Sequence, residues 1–173
     1  IEQLDTLIAA VRRIVKKSES RTKQVVAALP ASAVIAKKVI LPEGLGEDEM
    51  DAQIESEASQ YIPFALEEVS IDYYVMGASA TSVGDADVMI VAARKDRVGD
   101  MQALMSEAGM HLKVLDVASY AAQSAAERII ENLPNAGKDA IIALVHVGAS
   151  SIYVYVMRNG EVLFEREQAF GGV

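Results

Sequence analysis

Apolar residues recur at helical spacing from the first position of the chain, at Ile1, Leu4, Leu7, Ile8, Val11, Ile14 and Val15, and predict an amphipathic helix over 1–18. After a Ser-Glu-Ser-Arg loop come two β-branched runs, Gln24–Leu29 and Ala33–Ile40, separated by Pro30, Ala31 and Ser32; both read as strands. Leu41, Pro42, Glu43 and Gly44 end the second run. Glu47, Asp48 and Glu49 then place negative charge in the first turn of a helix over 47–61, where the helix dipole favours it. Met50, Ile54, Ala58 and Tyr61 recur along that helix at steps of about four, so one of its faces must be buried.

Ile62, Pro63 and Phe64 form a stiff apolar connector into a strand over 69–77, in which Val69, Ile71, Tyr73 and Val75 alternate with more polar neighbours. Residues 77–85 are rich in Ala, Ser, Thr and Gly and read as a loop or hairpin tip. The next strand, 88–93, is almost wholly apolar, as a central strand would be. Asp96 opens a helix to about Ala108, Gly109 closes it, and 112–117 forms another strand. From 33 to 117 the order is strand, helix, strand, strand, helix, strand, the split βαβ pattern. An Ala-rich helix over 118–132 follows, and Leu133 to Lys138 reads as a hinge between lobes. Beyond it come a strand, the turn Gly148-Ala149-Ser150-Ser151, a second strand, Asn159-Gly160 and a third strand. Asn-Gly is a strong hairpin signal because both central residues of a type I′ turn need positive φ. The fold class is therefore α/β with α+β character, ending at the start of a second sheet.

Composition narrows the function classes. In 173 residues, 51% are apolar and 24% charged, the balance of a folded chain. The absence of cysteine excludes a disulfide scaffold and a thiolate metal site. A formal net charge of −9 argues against nucleic-acid binding, which needs clustered Lys and Arg. The basic residues that do cluster, Arg12, Arg13, Lys16 and Lys17, end the first helix and suit its dipole. No apolar run reaches the roughly 20 residues needed to span a bilayer, so a membrane link must go through a partner. The chain opens at Ile1 with no secretion signal and stops at Gly171, Gly172 and Val173 just after a strand; it reads as an internal piece of a larger protein.

Candidate chemistry is sparse. Gly148, Ala149, Ser150 and Ser151 could offer backbone N–H groups and hydroxyls to a phosphate, with glycine allowing close approach. His146, just before that turn, is either a hydrogen-bonded histidine at a strand end or a general base. His111, leading into an interior strand, reads as structural, and Gly171 and Gly172 as a turn after a strand. Glu47 to Glu49, Glu67 with Glu68, and Glu165 with Glu167 are the solvated carboxylates expected of an acidic protein. Asp116 is placed to cap the Ala-rich helix. No Ser/His/Asp order, metal-spaced histidines or Gly-rich phosphate loop completes a site, so nothing supports independent catalysis.

The segments PASAVIAKKVILP (30–42), EMDAQIESEASQYIPFALEEVSIDY (49–73), VAARKDRV (91–98), KVLDVASYA (113–121) and GEVLFEREQAFGG (160–172) together resemble the PilM family, actin-like proteins of bacterial type IV pilus assembly similar in fold to the cell-division protein FtsA. The resemblance runs along essentially the whole chain. It implies a two-lobed actin-like fold with ATP and magnesium between the lobes of the intact protein. Residues 1–32 would be the tail of the first subdomain, 33–117 an inserted subdomain, 118–138 a connecting helix and hinge, and 139–173 the first hairpin of the second lobe. The ATP contacts it implies here are Gly148, Ala149, Ser150 and Ser151, together with Gly171 and Gly172, which would lead into a helix whose amino terminus faces the cleft. His146 stands where the family usually has an Asp that holds a magnesium-bound water, and a neutral imidazole is a poor ligand for magnesium. This piece alone is accordingly expected to bind no cofactor and to be inactive, the intact protein being at most a weak ATPase.

The same resemblance implies that the cytoplasmic amino-terminal peptide of the inner-membrane protein PilN lies in a groove between the first subdomain and the insertion. The matching residues are Ala31, Ser32, Ala33, Val34 and Ile35 with Met50, Ile54 and Tyr61. Each of these could equally fill the insertion's core. Other pilus assembly proteins and motor ATPases are further implied partners, at the cytoplasmic face of the inner membrane. The open edge of the last three strands predicts dimerisation or domain exchange.

Overall fold

A computed structural model describes residues 4–170; Ile1, Gly171 and Gly172 lie outside the described residues. The elements are α1 (Leu4–Lys17), β1 (Gln24–Leu29), β2 (Val34–Pro42), α2 (Glu47–Tyr61), β3 (Val69–Ala78), β4 (Asp85–Arg94), α3 (Lys95–Glu107), β5 (His111–Val117), α4 (Ala118–Ile130), β6 (Ile142–Val147), β7 (Ile152–Arg158) and β8 (Glu161–Gln168). Short 3-10 turns occupy Ala31–Ala33, Leu66–Glu68 and Pro134–Gly137. The chain divides into two compact units: the first runs to Leu29 and resumes over Ala33–Leu115, and the second joins Pro30–Ser32 to the residues from Asp116 onward.

The first unit is built on β4. Its period-two pattern buries Ala86, Val88, Ile90 and Ala92, and it lies between β2 and β3, antiparallel to both. The register puts Val39 beside Val88 and sets Ile71 and Tyr73 beside Ala92 and Ile90, so one sheet face is apolar across all three strands. Helix α2 covers it: Met50 and Ile54 pack with Val39, Leu41, Val88 and Ile90, while Ala58 joins Ile62, Val69 and Ala92. The acidic first turn also caps the helix, because the Gly46 N–H donates to Glu49 Oε2 at 3.1 Å. Val75 alternates correctly but is half exposed, at 52%, because the β3 register shifts between Val75 and Gly77.

The expected order of elements from 33 to 117 is present, but the last strand pairs differently. β5 joins β1 in a separate two-stranded sheet instead of the β2–β4–β3 sheet. The His111 N–H donates to the Lys23 carbonyl at 2.7 Å, which starts β5 beside β1. Helix α3 delivers it there by packing on α1, with the Arg12 guanidinium donating to the Glu107 carbonyl at the end of α3. A cation at a helix carboxy terminus is favourable, and Arg12 serves the dipole of α3. On α1 only Ile8 is buried; Leu7 and Ile14 stay exposed.

Asp116 does not cap α4. The helix starts one residue later, at Ala118 with Val117 in the capping position and no side-chain cap, and Asp116 Oδ1 instead accepts the Val117 N–H at 2.7 Å. The cause is a local side-chain bond to the next amide, which competes with capping.

In the second unit β6, β7 and β8 form an antiparallel sheet in chain order, with Tyr155 and Met157 of β7 buried. Asn159 and Gly160 adopt φ of 52° and 80°, as a type I′ turn requires. Asn159 is further tied to Asp139: its Oδ1 accepts the Asp139 N–H at 2.8 Å and its Nδ2 donates to Asp139 Oδ1 at 3.1 Å. The segment expected as a hinge, Leu133 to Lys138, lies inside this unit. Asn135, Ala136 and Gly137 are all left-handed, with φ of 55°, 50° and 66°. Gly137 is buried, and a Cβ there would stand 2.7 Å from Ile130 Cγ2 and 3.2 Å from Ile142 Cδ1.

Candidate functional site

In the second unit the antiparallel register sets His146 opposite Tyr153 and Val147 opposite Ile152, so the chain must reverse over Gly148–Ser151. The Gly148 N–H donates to the Ser151 carbonyl at 2.9 Å and closes the turn. The His146 imidazole stands over that glycine, its Nε2 3.7 Å from where a Cβ would lie, and its ring sits 6.0 Å from that of Tyr153 at 56°. Glycine therefore serves the tight reversal here. The Gly148 amide is committed to closing the turn, while Ser150 is exposed and Ser151 half-buried, so their hydroxyls are open to an anion. Tyr155, stacked on Tyr153 at 6.5 Å, has its phenol pushed up to about 12 by burial, with Glu165, Tyr153 and Glu167 adding to the shift. Burial likewise raises Glu165. Among the described residues no three His, Cys, Asp or Glu side chains come together as a metal site would require. Gly171 and Gly172 lie outside the described residues.

The residues expected to bind a partner divide between the units. Ala31 and Ser32 belong to the second unit and Ala33, Val34, Ile35, Met50, Ile54 and Tyr61 to the first. Within the first unit, Ile35 and Tyr61 pack against the same cluster, that of Ala58, Ile62, Val69 and Ala92. Met50 and Ile54 are core residues, 8% and 3% exposed, so they shape a surface from beneath. The Tyr61 hydroxyl is buried without a hydrogen-bond partner among the described residues, and burial followed by the charge of Glu57 raises its pKa.

Helix α2 lies over β2 and β4, which leaves the inward face of β3 partly uncovered and opens a groove of about 360 Å³. Ile54, Leu66, Val69 and Ile71 supply its apolar floor, with Asp51 and Glu55 on the α2 side. Tyr73 Oη donates to Asp51 Oδ1 at 3.1 Å across one end, and Lys95 Nζ donates to the Glu67 carbonyl at 2.8 Å across the other. Desolvation and the Asp51 bond both raise the Tyr73 phenol.

The family described as type IV pilus assembly protein PilM matches this chain over residues 1–173. The chain belongs to that family. Among solved structures, the PilM-PilN type IV pilus biogenesis complex is similar with a TM-score of 0.78 at 25% identity, over 96% of this chain and 48% of that one. The cytoplasmic domain of EpsL, an inner-membrane component of the type II secretion system of Vibrio cholerae, is similar with a TM-score of 0.57 at 16% identity, over 94% of this chain and 56% of that one. The chain thus spans about half the length of the solved structures it matches. The fold is the mixed helix and strand architecture that this chain shares with the PilM-PilN structure and the EpsL domain. Among the described residues no helix is long and apolar enough to cross a membrane.

The groove between α2 and β3 was not legible in the PilM-family sequence pattern. Tyr73 and Ile71 look like ordinary inward strand residues, and Asp51 and Glu55 like ordinary solvated carboxylates. The available signal was the charge of α2 itself: Glu47, Asp48, Glu49, Asp51, Glu55 and Glu57 with no Lys or Arg, more carboxylates than one helix start needs.

Proposed function

We propose that this chain is the part of a type IV pilus assembly scaffold that captures the cytoplasmic amino-terminal peptide of PilN. The observation that carries the reading is its likeness, over 96% of its length, to a protein solved as a PilM-PilN complex. In this reading residues 33–117 are an inserted subdomain, 1–32 the tail of the subdomain before it, 118–138 the connection, and 139–173 the opening hairpin of a second lobe. Ala33, Val34 and Ile35 with Met50, Ile54 and Tyr61, all of the first unit, form or shape the peptide groove. An apolar anchor on the peptide would find Ile35 and Tyr61, which share a cluster. The protein acts at the cytoplasmic face of the inner membrane.

In the intact protein ATP and magnesium bind between the lobes, where the chemistry they supply is phosphate charge and an oxygen-coordinated cation. This chain's contribution fits the phosphate side only: the hydroxyls of Ser150 and Ser151 at a glycine turn, with Gly171 and Gly172 two strands further along the chain. His146 offers no oxygen ligand. Open edges at β6 and β8 let this chain pair with a second copy when the rest of the lobe is missing.

The test is fluorescence anisotropy of the labelled PilN amino-terminal peptide against the full-length protein, with and without ATP and magnesium. Saturable binding, weakened about tenfold or more by Tyr61→Ala as at a buried aromatic anchor, is expected. Absence of binding by folded protein overturns the scaffold reading. Replacing His146→Asp in the same protein and finding increased ATP turnover would instead favour a slow ATPase.

A further inference from the structure

We propose that the edge of β3 and the groove beside it dock an extended, basic segment of a partner polypeptide, which adds as a fourth strand to the β2–β4–β3 sheet. Among the described residues β3 pairs only with β4, and its other edge is open. The Tyr73 N–H donates to the carboxylate of Asp72, its own neighbour, at 2.9 Å. In an antiparallel ladder every second residue points its backbone groups the same way, so Ile71 and Val75 present theirs on this edge with Tyr73. Asp72 covers one of those donors, as natural edges are commonly protected against indiscriminate pairing.

The side-chain surroundings select the occupant. The groove of about 360 Å³ runs along the β3 residues Val69, Ile71 and Tyr73, and its floor of Ile54, Leu66 and Ile71 takes an apolar side chain. Its α2 wall carries Asp51 and Glu55, four residues apart and so on one helix face, on a helix with six carboxylates and no base. Lys95, which lines the groove, is turned to the Glu67 carbonyl. An added strand points every second side chain to the α2 face, so a segment carrying on that one face an apolar residue over the floor and, two residues along, a Lys or Arg against Asp51 and Glu55 is complementary in shape and charge. An acidic segment is repelled, as is nucleic acid. Backbone pairing gives affinity and the pocket gives specificity in this mode of recognition. The proposal concerns residues of the first unit alone and stands independently of PilN capture.

The probe is a fluorescein-labelled peptide of repeating Leu-Ser-Lys-Ser, which sets leucine and lysine in turn on one strand face, titrated by anisotropy into the full-length protein; its leucine-glutamate counterpart carries glutamate in place of each lysine. Saturable binding is expected, together with slowed amide exchange at Ile71, Tyr73 and Val75. N-methylation at alternate residues keeps the charge but removes the donors, and should weaken binding about tenfold through loss of two or three backbone bonds. Glu55→Gln should weaken it about threefold, in the range of an exposed ion pair, and unlabelled PilN amino-terminal peptide should not displace the probe. Equal binding of the N-methylated peptide, equal binding of a leucine-glutamate peptide, or displacement by the PilN peptide would each overturn the proposal. Loss of PilN binding alone would not touch it.

Discussion

Gly137 tests the packing of the second unit most directly. Replacing Gly137→Ala puts a side chain at φ +66° and sets its Cβ 2.7 Å from Ile130 Cγ2 and 3.2 Å from Ile142 Cδ1. The left-handed backbone costs an L-residue about 1–2 kcal/mol. Forcing a methyl into a packed site costs about 1–3 kcal/mol more, and a stiffer unfolded chain returns about 0.4–1 kcal/mol. The expected loss is about 2–4 kcal/mol. Gly160 supplies the control in the same unit, since it has φ +80° and nothing within 4 Å of an added Cβ; Gly160→Ala should lose only about 1 kcal/mol. Ile130→Leu removes the methyl in the way while keeping volume, and in the Gly137→Ala background it should restore about 1 kcal/mol, a coupling typical of residues in contact. Urea titration read by hydrogen exchange of the β7 amides reports this unit without assuming that the whole chain unfolds at once. If Gly137→Ala costs no more than Gly160→Ala, close approach to Ile130 plays no part and the reasoning fails.

Three further outcomes follow from the same unit. Ala136→Gly relieves a left-handed alanine, φ 50°, and should stabilise by about 0.5–1 kcal/mol after glycine's greater unfolded freedom is discounted, seen as a higher urea midpoint with unchanged slope. Asn159→Ala removes both bonds to Asp139 and the turn's tolerance of positive φ, and should cost about 2 kcal/mol; Asn159→Gly, which keeps the backbone, should cost about half as much in the same titration. Tyr155 governs the alkaline limit: its phenol is raised to about 12 against about 10 unfolded, so the folded state holds the proton more tightly. Its contribution is intact below pH 10 and lost as pH rises toward 12, about 2–3 kcal/mol in all, and stability curves from pH 9 to 12 should lose that slope in Tyr155→Phe.

Local signals in this chain were strong and distant ones were silent. α2 (Glu47–Tyr61) and β1 (Gln24–Leu29) sit where periodicity and flanking charge put them, and β4 is central as its unbroken apolar run required. Asn159-Gly160 makes the turn its residue types demand. What periodicity could not carry was which strand β5 would join, since pairing with β1 is settled by α3 resting on α1, some hundred residues away along the chain at Arg12 and Glu107. Asp116 misled by one position because an aspartate before a helix can bond the next amide as readily as cap the helix. Leu133 to Lys138 had the composition of a flexible loop; burial of Gly137 against Ile130 and the tie between Asn159 and Asp139 make it a fixed corner. At the candidate sites the residue types were visible, but the closure of Gly148 on Ser151 and the uncovered flank of β3 depend on where α2 and the β6–β7 register come to rest.

The division of the chain has a consequence for its birth on the ribosome. Pro30–Ser32 belongs with residues from Asp116 onward, although everything on either side of it up to Leu115 belongs to the first unit. The β2–β4–β3 sheet and α2 are complete in the nascent chain once Arg94 has emerged, whereas β1 must wait for β5, which runs to Val117. A pause in translation between Arg94 and Val117 would act on that interval, in which β1 lacks its partner strand.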